Sequence, residues 1–177
     1  NLQPFHKVLF HAAAGGTGLI AMQWAKMMDV EITGTVGSEE KKQLAKNYGA
    51  TNVINYAREN FVEQIRDITQ GRGVDVVFDS VGASTFYQSI QSLKKYGLMV
   101  SYGNASGKVS AFDLGLLSGH LFITRPTLWS YVATRKELEV TFGELLQLVM
   151  LNKIRIPIYQ KKPLQDVVAL HKLMEER

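Results

Sequence analysis

The sequence predicts an α/β fold with a doubly wound parallel sheet, and three observations support this prediction. Short segments rich in β-branched residues alternate with segments of helical length over most of the 177 residues. A turn of small residues, at positions 11–18, joins the first such strand to the first helix. The composition, with 46% hydrophobic residues, allows one substantial core. Strands separated by helices in this way favour right-handed crossovers and therefore parallel pairing.

The first predicted unit consists of a strand, the turn, a helix and a second strand. Residues 8–10 form a short apolar strand, and a mostly apolar helix begins near Gly16. Residues 30–36 form a β-branched second strand. The next helix covers residues 39–48, because Ser38 is a good N-cap and two acids follow it in the first turn, where they favour the helix dipole.

The rest of the predicted sheet follows the same alternation. Residues 53–55 form a third strand, and Asn60 caps a helix that ends at residues 70–71. Residues 74–78 form a buried fourth strand, followed by a helix at residues 84–93. The later elements are a fifth strand at residues 98–102, a polar loop at 103–108, a sixth strand at 120–124, a helix at 136–151, an extended segment at 154–158 and a helix at 163–176.

The small-residue turn is suited to the diphosphate of a dinucleotide. Its backbone is free to bend sharply and to approach phosphate oxygens, and the following helix offers unpaired N–H groups and the positive end of its dipole. Ala13 takes the first position of the G-x-G-x-x-G pattern, and Gly15 and Gly18 take the other two. The alternative is a turn whose glycines serve only close packing. Because a strand precedes the turn, and a helix and a second strand follow it, the nucleotide-binding interpretation is favoured over the packing one.

The end of the second strand distinguishes between the two nicotinamide dinucleotides. A site for NAD(H) places an acid there for the ribose hydroxyls, whereas this chain has Val36 followed by Gly37 and Ser38. Lys41 and Tyr56 would supply a cation and a hydroxyl to a 2′-phosphate. The alternative for Lys41 is a solvated surface lysine. The missing acid is the stronger argument, and we therefore expect NADP(H).

The composition argues against several other classes of function. The chain contains no cysteine, and its four histidines are too scattered to suggest a paired metal-ligand motif. The net charge of +4 is mild and the basic residues are dispersed among acids, which argues against a nucleic acid partner. We find neither a leader nor an apolar run long enough for a membrane span, and we expect a soluble, cytoplasmic protein without a membrane partner.

Six motifs extend over nearly the whole chain. They are HAAAGGTGLI at residues 11–20, GTVGS at 34–38, VINY at 53–56, FDSVG at 78–82, GLMVSYGN at 97–104 and TRPTL at 124–128. In order and spacing the chain resembles the zinc-free quinone oxidoreductases of the medium-chain dehydrogenase/reductase superfamily. The resemblance implies an NADPH-dependent enzyme that reduces quinones or related conjugated carbonyl compounds, such as enones, without a metal.

The resemblance also implies where the cofactor binds. Lys41 and Tyr56 are expected to contact the adenosine phosphate, and Tyr102 is expected to lie near the nicotinamide. No catalytic residue is expected in this chain, and Asp79 is interpreted as a carboxylate that caps a loop. The full set of cofactor-binding candidates is Ala14, Gly15, Gly16, Thr17, Gly18, Gly37, Ser38, Lys41, Tyr56, Ser80, Val81, Gly82, Tyr102, Gly103, Asn104, Thr124 and Arg125.

The resemblance finally implies how the protein is organised. Family members carry an N-terminal GroES-like catalytic domain and a closing segment after the last helix. Residues 1–177 are therefore expected to be one Rossmann-type NADP-binding domain, truncated at both ends relative to the family and inactive by itself. Family members commonly form homodimers through the last strand of the cofactor domain, here residues 120–124, which begin at His120 and end at Thr124. Two other functions stay open: a non-catalytic NADPH-binding or sensing module, and an enoyl-thioester reductase of the same superfamily.

Overall fold

The fold is built on one sheet of six parallel strands, and the computed structural model describes residues 2–175. The strands are β1 (Lys7–Phe10), β2 (Glu31–Val36), β3 (Asn52–Asn55), β4 (Val74–Asp79), β5 (Leu93–Ser101) and β6 (Phe122–Thr124). Their order in the sheet is β3-β2-β1-β4-β5-β6. The chain therefore winds outward from β1 in both directions, which confirms the predicted doubly wound, Rossmann-type fold.

Seven α-helices connect or follow the strands within the described residues. They are α1 (Gly16–Met27), α2 (Glu39–Asn47), α3 (Phe61–Ile68), α4 (Phe86–Gln91), α5 (Leu128–Tyr131), α6 (Arg135–Met150) and α7 (Val167–Glu175). Two short 3-10 helices, Leu114–Leu117 and Leu164–Asp166, lie between them.

Alternate residues of β1 face opposite sides of the sheet, as the two-residue repeat of a strand requires. Val8 and Phe10 pack in one apolar cluster with Met22 of α1. Leu9 packs on the other side with Ile65 of α3. α4 lies beside α3 on this second side. Both faces of the sheet are thus covered, which is why its central strands carry apolar residues on both faces.

The N-termini of the helices are capped in different ways. The hydroxyl of Ser38, the amide oxygen of Asn60 and the hydroxyl of Thr134 each accept a hydrogen bond from a backbone N–H in the first turn of α2, α3 and α6. The first two bonds confirm the predicted caps. Gly15 precedes α1, and no side chain of residues 2–175 caps that helix.

The junction of α4 and β5 differs from the prediction. The helix predicted at residues 84–93 covers only Phe86–Gln91, and the fifth strand begins at Leu93 instead of Leu98. Leu93 pairs with Val74, after which the register shifts before the ladder resumes at Leu98. The predicted boundary was wrong because such an irregularity depends on the partner strand, which local sequence does not reveal.

Two other elements are shorter than predicted. The sixth strand begins at Phe122 instead of His120, because His120 has a φ of +55°, a left-handed conformation foreign to strands. The His120 ring stacks on Tyr96 with the centroids 5.2 Å apart. α3 ends at Ile68, since the hydroxyl of Thr69 donates to a carbonyl of the last turn at 2.6 Å and accepts an N–H beyond it at 2.9 Å.

The segment after α6 is attached to the sheet layer at few points. The predicted extended segment at residues 154–158 joins none of the six strands. Ile154 is buried, and both backbone groups of Arg155 bond to the side-chain amide of Gln23 in α1, at 2.8 and 2.9 Å.

The predicted C-terminal helix at residues 163–176 begins as the 3-10 helix Leu164–Asp166 and continues as α7. Glu176, the last residue of that prediction, lies outside the described residues. α5, α6 and α7 contain no buried residue in the part of the chain described. Across residues 2–175, the structure has no helix that combines the length and apolar character needed to span a membrane.

Candidate functional site

One line of paired residues crosses all six strands just before the carboxyl edge of the sheet. From β3 to β6 the line comprises Val53, Gly34, Phe10, Phe78, Val100 and Thr124. Each predicted site residue lies on this line or follows it at the same edge. The structure therefore brings the loops that carry the candidates together, at the edge where ligands of doubly wound sheets bind.

The N-terminus of α1 opens onto this edge. Gly15, Gly16 and Thr17 are exposed, whereas Gly18 is buried and Ala14 is half-buried. The N–H groups of the first turn have no carbonyl partner within the helix. The first turn, which the structure describes completely, contains no acid. These amides and the positive end of the helix dipole are therefore available to an anion.

Two glycines allow α1 to approach the strands closely. A Cβ at Gly18 would overlap the carbonyl oxygens of Ala12 and Ala13, and a Cβ at Gly34 would overlap the methyl group of Ala13. The glycine of β2 thus makes room for the alanine at the first position of the pattern. At Gly16, by contrast, no atom of the described chain lies within 4 Å of such a Cβ. The first turn of α1 therefore combines tight packing at Gly18 with open space at Gly16, two residues earlier.

The ends of β2 and β3 form a second group of candidates. The hydroxyl of Tyr56 lies 2.8 Å from the position that a Cβ would take on Gly37, so the ring covers this glycine. Tyr56 and Lys41 are exposed, and Lys41 forms no ion pair with residues 2–175. Ser38 caps α2 through its hydroxyl, which accepts from the Lys41 N–H at 3.2 Å.

Two acids near this group, Glu39 and Glu59, are engaged elsewhere, whereas Glu40 is exposed in the first turn of α2. Glu39 accepts a hydrogen bond from the Asn55 amide at 2.7 Å. Glu59 pairs with Lys42 at 3.0 Å and accepts from the Asn55 N–H, and the bond from Lys42 is the largest of the effects that hold the pKa of Glu59 below its ordinary value. Asn55, 2% exposed, thus organises the turn that carries Tyr56. Sequence analysis missed this role, and its one signal was a polar residue ending an apolar strand.

Asp79 organises the loop after β4. This fully buried carboxylate accepts hydrogen bonds through Oδ1 from the N–H groups of Val81 and Gly82, at 2.8 and 3.0 Å. Through Oδ2 it accepts from the hydroxyls of Thr85 and Ser89, at 2.8 and 2.9 Å. The predicted loop-capping role of Asp79 is confirmed.

His11, the first residue of the turn, is fully buried beneath the candidate site. Its Nδ1 lies 2.9 Å from Thr35 Oγ1, and its Nε2 lies 2.9 Å from Ser89 Oγ. Burial lowers the pKa of His11 to about 4, although the nearby Asp79 carboxylate acts in the opposite direction. The imidazole is therefore neutral near pH 7. Sequence analysis missed this residue, because its partners lie 24 and 78 residues away.

The loop after β4 is paired with the loop after β5. The N–H of Ala105 donates to the Ser80 carbonyl at 3.2 Å, and the N–H of Ser106 donates to the Val81 carbonyl at 2.8 Å. The polar loop predicted at residues 103–108 is thereby held against the loop that Asp79 organises.

Tyr102 is half-buried between these two loops and the turn. Its ring lies 6.2 Å from the ring of Phe10, and its N–H donates to the Asp79 carbonyl at 2.9 Å. Burial raises the pKa of the Tyr102 hydroxyl, and a hydrogen bond with Ser80 partly offsets this effect. The phenol is therefore a neutral donor and acceptor near pH 7.

Arg125 fixes the other side of the β5 loop. Its Nη1 donates to Ser101 Oγ and to the Gly103 carbonyl, both at 3.0 Å. With the Asn104 amide oriented to match its neighbours, the amide oxygen accepts from Arg125 Nη2 at 3.2 Å. Thr124, just before Arg125, is exposed on the edge strand β6. Arg125 is thus committed largely to shaping the rim.

The chemistry of this edge is that of an anion-binding surface. Open backbone amides, the Lys41 ammonium, which forms no ion pair within residues 2–175, and several hydroxyls are donors for phosphate oxygens. Within residues 2–175, no group of three histidine or acidic side chains is arranged to hold a metal ion.

Comparisons with known proteins agree with this geometry. Residues 16–148 match the family model described as zinc-binding dehydrogenase. Quinone oxidoreductase 1 of Escherichia coli is 46% identical over 181 residues, which include all of this chain and 55% of that protein. A 2-haloacrylate reductase of Burkholderia is 39% identical, again over the whole chain and 54% of its own length. The chain thus spans about half the length of the curated relatives it matches.

Solved structures give the same result. The structure of an E. coli quinone oxidoreductase complexed with NADPH superposes with a TM-score of 0.95 and 45% identity, over 99% of this chain and 55% of that one. The resemblance found in the sequence is therefore confirmed. The chain belongs to the zinc-binding dehydrogenase family and, within it, to the quinone oxidoreductases of the medium-chain dehydrogenase/reductase superfamily.

Proposed function

We propose that this chain is the NADP(H)-binding part of an NADPH-dependent oxidoreductase that reduces quinones or related conjugated carbonyl compounds. One observation carries the proposal. The uncapped N-terminus of α1 opens onto the same sheet edge as the unpaired Lys41 and the exposed Tyr56. A diphosphate and a separate phosphate on one ligand would match these two groups.

The diphosphate is assigned to the first turn of α1. The N–H groups of Gly16, Thr17 and Gly18 would donate to its oxygens, and the half-buried Ala14 would leave room for its approach. A negative ligand meets no acid in this turn, which the structure describes in full. The residues present therefore fit the group.

The 2′-phosphate of the adenosine ribose is assigned to the ends of β2 and β3. Lys41 supplies the positive charge, the Tyr56 hydroxyl supplies a donor, and the backbone of Gly37 and Ser38 borders the pocket. Two acids precede Lys41 in the first turn of α2: the Glu39 carboxylate is bound by the Asn55 amide, and Glu40 is exposed. A phosphate would gain the positive charge of Lys41 here.

The nicotinamide end is assigned to the paired loops after β4 and β5. Ser80, Val81 and Gly82 form one wall, held by Asp79. Tyr102, Gly103 and Asn104 form the other, held by Arg125, with Thr124 at the rim. When bound, the reduced nicotinamide supplies a hydride to an electrophilic substrate. The part assigned to this chain is to orient the ring and to shield it from water.

The substrate class rests on what the relatives are called. One is a quinone oxidoreductase, and another reduces 2-haloacrylate, whose carbon–carbon double bond is conjugated with a carboxylate. Both names describe electron-poor conjugated systems, which accept a hydride readily. No residue of this chain is assigned a catalytic role in the proposal.

We also propose that the protein forms a homodimer through β6. This strand lies at the edge of the sheet and pairs only with β5 among the described strands. Its exposed Phe122 would be covered by a second copy, and unpaired backbone groups at an edge favour addition of a strand.

The test of the nucleotide assignment is Lys41→Glu, measured by calorimetric titration with NADPH and with NADH. The substitution removes a charge-assisted hydrogen bond and places a carboxylate in the phosphate pocket. The affinity for NADPH should therefore fall by about 30-fold or more. The affinity for NADH, which lacks the 2′-phosphate, should change by less than about threefold. Lys46→Glu is the matched control, because Lys46 is exposed in the last turn of the same helix.

Equal losses for the two nucleotides would remove Lys41 from the phosphate pocket. A separate assay mixes the full-length enzyme, of which this chain is the proposed NADP(H)-binding part, with NADPH and a simple quinone, because the chain alone is not expected to turn over. Oxidation of NADPH supports the reductase, and tight binding without oxidation supports a binding module instead.

A further inference from the structure

A buried polar network connects the ends of β1, β2 and β4 beneath the candidate site. It consists of Thr35, His11, Ser89 and Asp79, each at most 1% exposed. Its links are Thr35 Oγ1 to His11 Nδ1, His11 Nε2 to Ser89 Oγ, and Ser89 Oγ to Asp79 Oδ2, each 2.9 Å long. We call these four residues the buried polar network.

The donors and acceptors of this network have one consistent arrangement. Ser89 donates its hydroxyl proton to Asp79, so it must accept a hydrogen bond from His11 Nε2. His11 then carries its single proton on Nε2, and its Nδ1 accepts from the hydroxyl of Thr35. Every link is therefore directional, and removing one hydroxyl leaves a neighbouring polar atom without its partner.

The network ends on the backbone of the candidate site. Asp79 Oδ1 binds the N–H groups of Val81 and Gly82, which are assigned to the nicotinamide end. At the other end, the Thr35 carbonyl accepts from the N–H of Ala13 in the small-residue turn, at 3.0 Å. The network thus connects the turn to the loop after β4 through side chains that do not themselves reach the solvent-facing edge.

We propose that Thr35, His11, Ser89 and Asp79 act as positioning residues, which hold the Val81–Gly82 backbone in place for the nicotinamide end of the cofactor. The inference rests on the proposed function. Thr35 gives the strictest test of this inference, because it lies on β2, the strand next to the assigned adenosine end. A substitution there should nevertheless impair the distant nicotinamide end, because its effect travels through His11.

The experiment compares two ligands, NADPH and adenosine 2′,5′-bisphosphate, which has the adenosine end but no nicotinamide. Ser89→Ala and Thr35→Val each remove one hydroxyl. Both substitutions should lower the affinity for NADPH at least fivefold and change the affinity for the bisphosphate by less than twofold. Thr35→Ser, which keeps the hydroxyl, should restore the NADPH affinity. Ser92→Ala is the matched control, since Ser92 is 1% exposed and its hydroxyl donates to the Gln88 carbonyl at the end of α4, outside the network.

A second measurement does not need a ligand. Amide hydrogen exchange at Val81 and Gly82 should become at least tenfold faster in Ser89→Ala and Thr35→Val. Exchange at Ala83, whose N–H donates to Gly107 instead of Asp79, should stay within threefold of the unmodified chain. Ser92→Ala should leave all three amides unchanged.

The possible failures are distinguishable. Similar losses for both ligands in Ser89→Ala and Thr35→Val would mean that the network only stabilises the fold, and would overturn the proposal. Unchanged NADPH affinity with unchanged exchange would overturn it as well. If the unmodified chain binds neither ligand, the proposed function fails, and the inference fails with it.

Discussion

His11 makes the stability of the fold depend on pH. Burial lowers the pKa of its imidazole from 6.5 to about 4, so the folded chain excludes a proton that the unfolded chain takes up between these values. Because the unfolded state binds more protons in that window, the free energy of unfolding rises with pH from about 4 to 6.5 and levels off above it.

This expectation can be measured by urea unfolding at pH 4.5 and pH 7.5. We expect a decrease of about 2 to 3 kcal/mol at the lower pH from His11. His11→Gln should show a smaller dependence, because its side chain does not titrate. Equal pH dependence in the two proteins would contradict a neutral, buried His11.

Single residues also mark the limit of sequence analysis. Lys41 and Tyr56 were found because motif position identifies them, and they lie at the expected edge. Asn55 and His11 were not, because their roles come from partners that only the folded chain brings together. A polar residue at the end of an apolar strand indicates such a role without naming the partners.

At the scale of elements, substitutions in the first turn of α1 are expected to affect NADPH binding and fold stability separately. An acid at Gly16 would repel a diphosphate, yet it would favour the helix dipole by about 0.3 to 1 kcal/mol. The site tolerates a side chain, because no described atom lies within 4 Å of a Cβ there. Gly16→Asp should therefore weaken NADPH at least tenfold without lowering the melting temperature, relative to the neutral control Gly16→Asn.

Gly18→Ala should behave in the opposite way. Its Cβ would overlap the carbonyl oxygens of Ala12 and Ala13, so the fold should lose about 1 to 3 kcal/mol. Unchanged NADPH binding in Gly16→Asp would place the diphosphate elsewhere. A fully stable Gly18→Ala would contradict the close packing described for the turn.

The elements differ in how well local sequence predicts them. The caps at Ser38 and Asn60 depend on a side chain and its own first turn, and both are confirmed. The boundary between α4 and β5 depends on pairing with β4, and it was wrong. The apolar pattern of α6 predicts a helix correctly, but it does not reveal that side chains such as Phe142 remain 58% exposed.

At the scale of the whole molecule, strand order decides where the site forms. β1 lies between β2 and β4, and the chain winds outward from it on both sides. Crossovers therefore leave in opposite directions and open a crevice at the carboxyl end of β1. The alternation of strands and helices predicted this arrangement, since right-handed crossovers leave few other topologies.

The proposed dimer is tested at this scale through Phe122. Phe122 is 58% exposed, whereas Ile123, on the opposite face of β6, packs toward the core. Phe122→Lys should shift the chain from dimer to monomer in analytical ultracentrifugation. The control is Phe5→Lys, since Phe5 is 77% exposed and lies outside the strands. An unchanged sedimentation profile for Phe122→Lys would argue against the edge-strand dimer.

A crystal structure of this chain with NADPH would show whether the open amides of α1 and the ends of β2 and β3 hold one nucleotide. We expect diphosphate oxygens within hydrogen-bond distance of the Gly16, Thr17 and Gly18 amides, and the 2′-phosphate beside Lys41 and Tyr56. A nucleotide bound elsewhere, or a crevice that stays empty at saturating NADPH, would contradict this expectation.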